Sequence, residues 1–347
     1  MIFQLSHLNK AHIAFDCGGT ATTAACSSTD GHDFEEVQIQ QPGNIRTIGV
    51  EGFTKLLSTV CKHFEIADPL QDVASVTLGV AGYETPEDLQ RILQAVHAAE
   101  LKNSKIRIVN DSALGLAAVN FREGAKASLV SGTGANSAFE FEEFPGIVQT
   151  VGGSWYLGSD YEAGGVGIGI RGFFEALHEL QSLSGTARFE SLKSKSNSGA
   201  YTPQSLEDLI RNKGSHLVNL FVERLGVTDM TIKYPDIYNN QPDGEKVKFF
   251  SPLAPLVSQA ALLGDPIALD ILEDSGKACA KLLQTGFAMN DATSAEVALI
   301  GGVITKSGPA RNAFEQAMND ADYDLNLLNF PKTQTLLQAI IEIDRQQ

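Results

Sequence analysis

One phrase of sequence occurs twice in this chain, about 115 residues apart. The first copy is Ile13-Ala14-Phe15-Asp16-Cys17-Gly18-Gly19-Thr20-Ala21-Thr22-Thr23, the second Ser128-Leu129-Val130-Ser131-Gly132-Thr133-Gly134-Ala135-Asn136-Ser137-Ala138. In each, an apolar stretch runs into a glycine–threonine turn and a second strand-like stretch leaves it. Glycine lets the backbone approach an anion closely, and threonine adds a hydroxyl donor. Two such turns facing each other can hold a polyphosphate from both sides.

The segment on the C-terminal side of each turn decides the fold class. A Walker loop or a dinucleotide fingerprint needs a helix directly after its glycines. Here the first turn leads through Thr22-Thr23-Ala24-Ala25 to an Asp30-Gly31 turn and an alternating stretch, Val37-Gln38-Ile39-Gln40. The second leads through Phe139-Glu140-Phe141 to Pro145-Gly146 and Ile147-Val148-Gln149. Both turns therefore sit on β-hairpins, which argues against P-loop and Rossmann enzymes.

Helix and strand alternate after each hairpin set. In the first half the apolar positions Phe53, Leu56, Leu57, Val60 and Phe64 have helical spacing. Next come a strand over 73–80, a helix entered through Thr85-Pro86 and a strand over 106–109, ending at Asn110-Asp111 before a small-residue helix. Arg122-Glu123-Gly124 reads as a hinge. The second half carries a glycine-dense run over 152–172, a Ser/Lys-rich solvated connection over 182–199, helix over 203–225 and a polar, turn-rich segment over 233–248. Helices over 253–263 and 267–285, a strand over 296–300 and a last helix over 335–345 complete the expectation.

With 347 residues, two domains are expected. A formal charge of −16 and a pI near 4.8 leave no basic stripe for a nucleic-acid partner. The cysteines at 17, 26, 61 and 279 have neither disulfide-framework nor zinc spacing, which fits reduced thiols in a cytoplasmic protein. His7, Asn9, Lys10 and His12 interrupt any signal-peptide core, and no run reaches the length of a membrane span.

Asp111 stands where a strand gives way to a helix, the usual location of ligand-binding groups in an open α/β sheet. It reads either as a general base that orients an acceptor hydroxyl in phosphoryl transfer or as a helix N-cap. Asp16 reads either as a Mg²⁺ ligand through water or as a turn-stabilising Asx residue. Gly301-Gly302 after a strand reads either as a tight turn or as bare backbone offered to a flat ring. The loop Gly152-Gly153-Ser154-Trp155-Tyr156-Leu157-Gly158-Ser159-Asp160 holds the only tryptophan. It reads either as a flexible surface loop, which seldom spends Trp, Tyr and Leu together, or as a platform for a sugar ring with Asp160 as hydroxyl acceptor.

Together these motifs resemble the BadF/BadG/BcrA/BcrD-type ATPase family, within it the N-acetylglucosamine kinase branch, in the actin-like ATPase and sugar kinase superfamily. The resemblance runs from about Ile13 to Val303. It is carried by Asp16 to Thr22, Pro42-Gly43-Asn44, Asn110-Asp111-Ser112-Ala113, Ser131 to Asn136, the run from Gly152 to Gly169, Ala261 to Ala268, and Leu299-Ile300-Gly301-Gly302-Val303.

The resemblance implies an α/β fold of two ribonuclease-H-like domains, 1–122 and 123–347, closing on a cleft, with the last helix able to pack back on the first domain. It implies an ATP-dependent, Mg²⁺-requiring kinase acting on the 6-hydroxyl of an amino sugar, most readily N-acetylglucosamine, with a homodimer as the assembly. Asp111 would be the base. Gly18, Gly19, Thr20, Thr22, Gly132, Thr133 and Gly134 would bind ATP phosphates, and Gly301 and Gly302 adenosine. Asn44, Asn110, Asn136, Gly153, Trp155 and Asp160 would meet the sugar, and Asp16 the metal. Glu162 shares the claim of Asp160 to the sugar-site acid position. Ala21 stands where the family usually carries lysine or arginine, and Cys17 where it carries glycine. A catalytically silent sugar or nucleotide sensor, other acceptors such as glucosamine or N-acetylmuramic acid, and an iron–sulfur activator are the alternatives, the last disfavoured by cysteine spacing.

Overall fold

A computed structural model of the chain describes residues 10–19, 21–27, 34–153, 161–196 and 206–346. Thr20, Trp155, Asp160 and the expected Asp30-Gly31 turn lie outside the described residues.

The first sheet contains β1 (Ala11–Cys17), β2 (Thr22–Ser27), β3 (Phe34–Ile39), β4 (Val73–Val80) and β5 (Lys105–Asn110), in the order β3-β2-β1-β4-β5. The second contains β6 (Ala125–Ser131), β7 (Ala135–Phe141), β8 (Gln149–Gly152), β9 (Ser294–Ile300) and β10 (Asp324–Phe330), in the order β8-β7-β6-β9-β10. Each sheet opens with an antiparallel three-strand meander and adds two parallel strands beside its first strand. The repeated phrase is thus the first hairpin of two sheets with one topology.

Alternation along each strand divides the core. Ile13 and Phe15 of β1 face Phe53, Leu56, Leu57 and Val60 of the helix Ile45–His63. Ala14, on the opposite face, lies in a different cluster with Ala25, Ala298 and Phe330. That cluster joins the two sheets. Its filling comes from the 3-10 helix Asp111–Ala118, through Leu114, Ala117 and Ala118, and from the last helix Thr333–Gln346, through Leu336, Leu337, Ile340 and Ile341. Alanines on the inner strand faces let these helices sit close. Burying each large aliphatic side chain contributes about 1.5–3 kcal/mol.

The two joining helices are topological equivalents, since each comes directly after the fifth strand of its sheet. The last helix reaches the first sheet through a buried polar contact as well. Thr77 on β4 donates its hydroxyl to Asp344 at 2.7 Å, and Arg107 on β5 pairs with Asp344 at 3.2 Å. The expected hinge is a tight turn in which Glu123 and Gly124 both take positive φ.

The structure corrects several local expectations. The Ser/Lys-rich stretch expected to be a connection continues the helix Gly165–Ser196 as far as residue 196. Residues 233–248 are mostly helical, in Tyr234–Asn240 and Asp243–Phe250, with Pro235 and Pro242 at helix starts where a missing N–H costs little. The expected helix over 203–225 divides into Leu206–Lys213 and His216–Leu225, the latter capped by Ser215. β10 and the helix Gly308–Asn319 have no counterpart among the elements expected from sequence.

Among the described residues no single helix is long and apolar enough to cross a membrane. The four cysteines are free and buried, and burial pushes the thiols up, Cys26 and Cys279 to about 12.

Candidate active site

The first glycine turn is closed by Gly18 N–H donating to the Ala21 carbonyl at 3.1 Å. Gly43 N–H then donates to the Gly18 carbonyl at 2.8 Å and brings the start of the helix Ile45–His63 against the turn. Gly43 has no room for a side chain: a Cβ there would lie 2.5 Å from the Cys17 Cβ. The second turn repeats the device. Gly132 N–H donates to the Gly134 carbonyl at 2.9 Å, and Gly165 N–H donates to the Gly132 carbonyl at 2.7 Å. In both copies the turn's first glycine carbonyl is therefore fixed by an amide of a later glycine beside a helix start. Val166 N–H also holds the Thr133 carbonyl at 2.9 Å, and among the described residues the amides of Gly19, Thr133 and Gly134 have no backbone acceptor. A Cβ at Gly19, Gly132 or Gly302 would meet no described atom within 4 Å.

Gly301 ties the end of β9 to the second turn. Its φ is +95°, and a Cβ would lie 2.3 Å from the Ser131 carbonyl oxygen, so both conformation and space demand glycine. Ser131 in turn donates its hydroxyl to the Ala163 carbonyl. The second turn, the Gly301 corner and the entry to the helix Gly165–Ser196 thus form one backbone-lined surface.

Asp111 and Asp16 come from different strand ends of the first sheet and meet electrostatically. Burial raises the Asp16 carboxyl, the charge of Asp111 raises it further, and a hydrogen bond from Thr333 lowers it, leaving it at about 6. Burial also raises Asp111, against the backbone amides of Ser112 and Asp111 itself, and Glu84 adds a repulsive charge. Both carboxylates are half-buried. The cap of the 3-10 helix is Asn110, not Asp111. The Asn110 Oδ1 accepts from Ser112 N–H at 3.0 Å, and its Nδ2 donates to the Tyr83 carbonyl at 2.9 Å. Asn110 consequently fixes the strand end from which Asp111 projects, and both ends of its amide are engaged within the protein.

The other residues singled out in the sequence divide. Asn44 caps the helix Ile45–His63, its Oδ1 accepting from the amides of Arg46 and Thr47, and it packs against Gly82 at the end of β4. Asn136 is buried on β7 beside Gly153. Thr22 is fully buried and donates its hydroxyl to the Gln41 carbonyl at 3.2 Å, so it holds the segment before Gly43 rather than reaching the open side of the turn. Glu162, unlike Asp160, is described and is exposed.

Three contributors escape a reading of the sequence. Thr333 comes from the start of the last helix, the position in the second sheet that corresponds to Asp111 in the first, and recognising β10 as a fifth strand would have found it. Arg46 and Glu84 form the rim beside Asp111. Arg46 pairs with Glu84 at 2.7 Å and with Asp88 at 2.7 Å, and Asp88 also closes the capping box with Thr85.

Among the described residues no group of three or more His, Cys, Asp or Glu side chains is arranged to cage a metal. Magnesium does not need one, because it retains several waters and takes one or two carboxylates together with substrate phosphates. Two half-buried carboxylates whose charges repel fit such an ion, which would relieve their repulsion.

No protein-family model matches the sequence, and no curated protein matches it. Solved structures do. A provisionally named N-acetylglucosamine kinase from Porphyromonas gingivalis superposes with a TM-score of 0.62 at 16% identity, covering 96% of this chain and 99% of that one. Another provisionally named N-acetylglucosamine kinase, from Chromobacterium violaceum, gives 0.59 at 18% identity, with 96% and 99% coverage. A ROK-family glucokinase from Streptomyces griseus, solved with glucose and AMPPNP, gives 0.51 at 13% identity, with 98% and 100% coverage. The chain therefore has the two-sheet α/β fold of these proteins, that of the actin-like ATPases, over nearly its whole length.

Proposed function

We propose that this protein is an ATP-dependent kinase that transfers the γ-phosphoryl group to the 6-hydroxyl of an amino sugar, N-acetylglucosamine being the acceptor we favour. The observation that carries this reading is the meeting of Asp16 and Asp111, from the ends of β1 and β5, beside a glycine turn whose twin lies on the second sheet. The likeness of the fold to sugar kinases supports it.

In this reading the amides of Gly19, Thr133 and Gly134 bind the ATP phosphates, each charge-assisted bond contributing about 1.5–3 kcal/mol. Gly18 and Gly132, whose own amides close the two turns, shape the phosphate site rather than donate to it. Thr20 adds its hydroxyl. Gly301 and Gly302 receive the adenosine against bare backbone. Asp16 would hold Mg²⁺, which would supply charge neutralisation at the phosphates. Asp111 accepts the proton of the attacking hydroxyl; its raised pKa suits a base that must accept a proton yet remain ionised near neutrality. Asn44, Asn136, Gly153, Trp155 and Asp160 form the sugar side, and Asn110 acts on it through Asp111. Transfer then rests on positioning and charge neutralisation rather than covalent catalysis.

The test is sugar-stimulated ADP release by the purified protein with Mg-ATP, across a panel of hexoses and amino sugars. N-acetylglucosamine is expected to give the highest kcat/KM. ADP release that no sugar stimulates would contradict the reading, and calorimetric sugar binding without turnover would instead identify a silent sensor.

A further inference from the structure

A second candidate site lies among the helices inserted between β8 and β9. A cavity of about 300 Å³ opens between the helix His216–Leu225, the wide turn Asp229–Lys233 and the segment from Lys248 to Leu253. This is the lower end of the range for small-ligand pockets. Its rim carries Arg224, Lys233 and Lys248, in a chain with 26 basic residues against 42 acidic ones. Among the described residues of the lining Asp229 is the one acid, paired with Lys233 at 3.0 Å, against the three cations. Tyr234 and Phe249 supply ring surface beside the cations. Burial raises the Tyr234 phenol, with Asp229 adding to the rise, while the nearby Lys233 and Arg224 oppose it. The wide turn is closed by Tyr234 N–H donating to the Asp229 carbonyl, which sets Asp229, Lys233 and Tyr234 on one rim.

The back wall of this cavity leads to the second glycine turn. Phe249, Pro252 and Leu253 line it, and the residues between them press on the helix Gly165–Ser196. A Cβ at Gly169 would lie 1.9 Å from the Phe250 carbonyl oxygen, and one at Gly165 would lie 3.7 Å from the Ser251 hydroxyl and 3.0 Å from the Gly132 carbonyl oxygen. Gly165 also donates its amide to Gly132. Close-packed backbone of this kind transmits displacement because no side chain intervenes to absorb it.

We propose that this cavity binds the phosphate group of a small phosphorylated metabolite, and that occupancy is felt at Gly132 through Phe250 and the Gly165–Gly169 turn. Guanidinium and ammonium groups supply the charged donors such a ligand needs, and the two rings cover its non-phosphate part. The phosphate site stands on the cavity alone; its regulatory meaning rests on the kinase reading of the Gly132 turn.

The experiment is a titration of the methyl-labelled, amide-labelled protein with inorganic pyrophosphate, monitored by NMR at Leu253 and Gly132. Leu253 is expected to shift saturably, Gly132 to respond with the same midpoint, and Arg224→Gln/Lys233→Gln to weaken both about tenfold or more. Both substitutions fall on exposed side chains, and an unchanged melting temperature verifies the fold. Parallel titrations with a hexose 6-phosphate and with ADP distinguish a product-like ligand from a nucleotide. Failure of all three to move Leu253, or a Leu253 shift that survives the double substitution, overturns the site. With the glycine turns first saturated by a non-hydrolysable ATP analogue, so that the titrant cannot reach Gly132 directly, a Gly132 shift that persists in the double variant overturns the coupling. None of these outcomes depends on catalysis, so they separate this proposal from the kinase assignment.

Discussion

The Thr333 hydroxyl, at the start of the last helix, lies close enough to the Asp16 carboxylate at the end of the first strand to lower its pKa. The link joins opposite ends of the chain and the two sheets at the point where Asp111 also bears on Asp16. A carboxylate held there is desolvated and repelled by a like charge, and among the described residues this hydroxyl opposes those effects.

The ionised Asp16 should therefore cost stability in the ligand-free protein. Its folded pKa of about 6 lies above the ordinary aspartate value of 3.8, so the folded state holds the proton more tightly. Stability from the protonated form is fully present below about pH 4 and is lost as pH rises through about 6. Asp16→Asn should accordingly melt above the parent at pH 7, by up to about 3 kcal/mol, with the gap closing toward pH 4. Thermal unfolding of both proteins across that range, without ATP or metal, checks it. A variant less stable at pH 7 would contradict the account.

Asp111→Asn keeps the shape of the 3-10 helix entry and removes the base. A general base contributes about 10²–10⁴-fold, so sugar-stimulated kcat should fall by that factor while ATP affinity holds. Equilibrium nucleotide binding measured beside turnover separates the two effects.

Asp344 secures the last helix to the first sheet through Thr77 and Arg107. Asp344→Ala leaves the buried Thr77 hydroxyl without its acceptor and should destabilise by about 1–3 kcal/mol in urea unfolding. A smaller loss, below about 1 kcal/mol, would show that the aliphatic residues of that helix hold it unaided.

Gly301→Ala forces a side chain toward the Ser131 carbonyl at a positive φ. It should cost about 1–3 kcal/mol of stability and weaken ATP binding, because relief of the clash displaces the second turn. Melting and calorimetry together test this; unchanged nucleotide affinity would detach Gly301 from the phosphate site.

Much of the architecture is legible in the sequence because the hairpin strands are near-continuous apolar or small-residue runs, buried on both faces and broken by glycine turns. The apolar stretch over 73–80 coincides with the observed bounds of β4, and Thr85-Pro86 marks a helix start that the capping box bears out. The misses have physical causes. β10 alternates leucine with asparagine and is only half-buried, so it gives little apolar signal. The serine- and lysine-rich end of the helix Gly165–Ser196 lacks an apolar stripe, and its helical state is propagated from a first half anchored by Val166, Ile170, Phe173 and Leu177. The roles of Asn110 and Thr333 depend on where chain segments meet in space. Asn110 is a neighbour of Asp111 in the sequence, but only the Tyr83 contact reveals its positioning role.

The most direct measurement is a crystal structure with a non-hydrolysable ATP analogue, Mg²⁺ and N-acetylglucosamine. The phosphates are expected between the turns at Gly18–Gly19 and Gly132–Thr133, with the sugar 6-hydroxyl about 3 Å from the Asp111 carboxylate and in line with the terminal phosphorus. A nucleotide seated away from either turn, or an acceptor hydroxyl out of reach of Asp111, would contradict the kinase assignment.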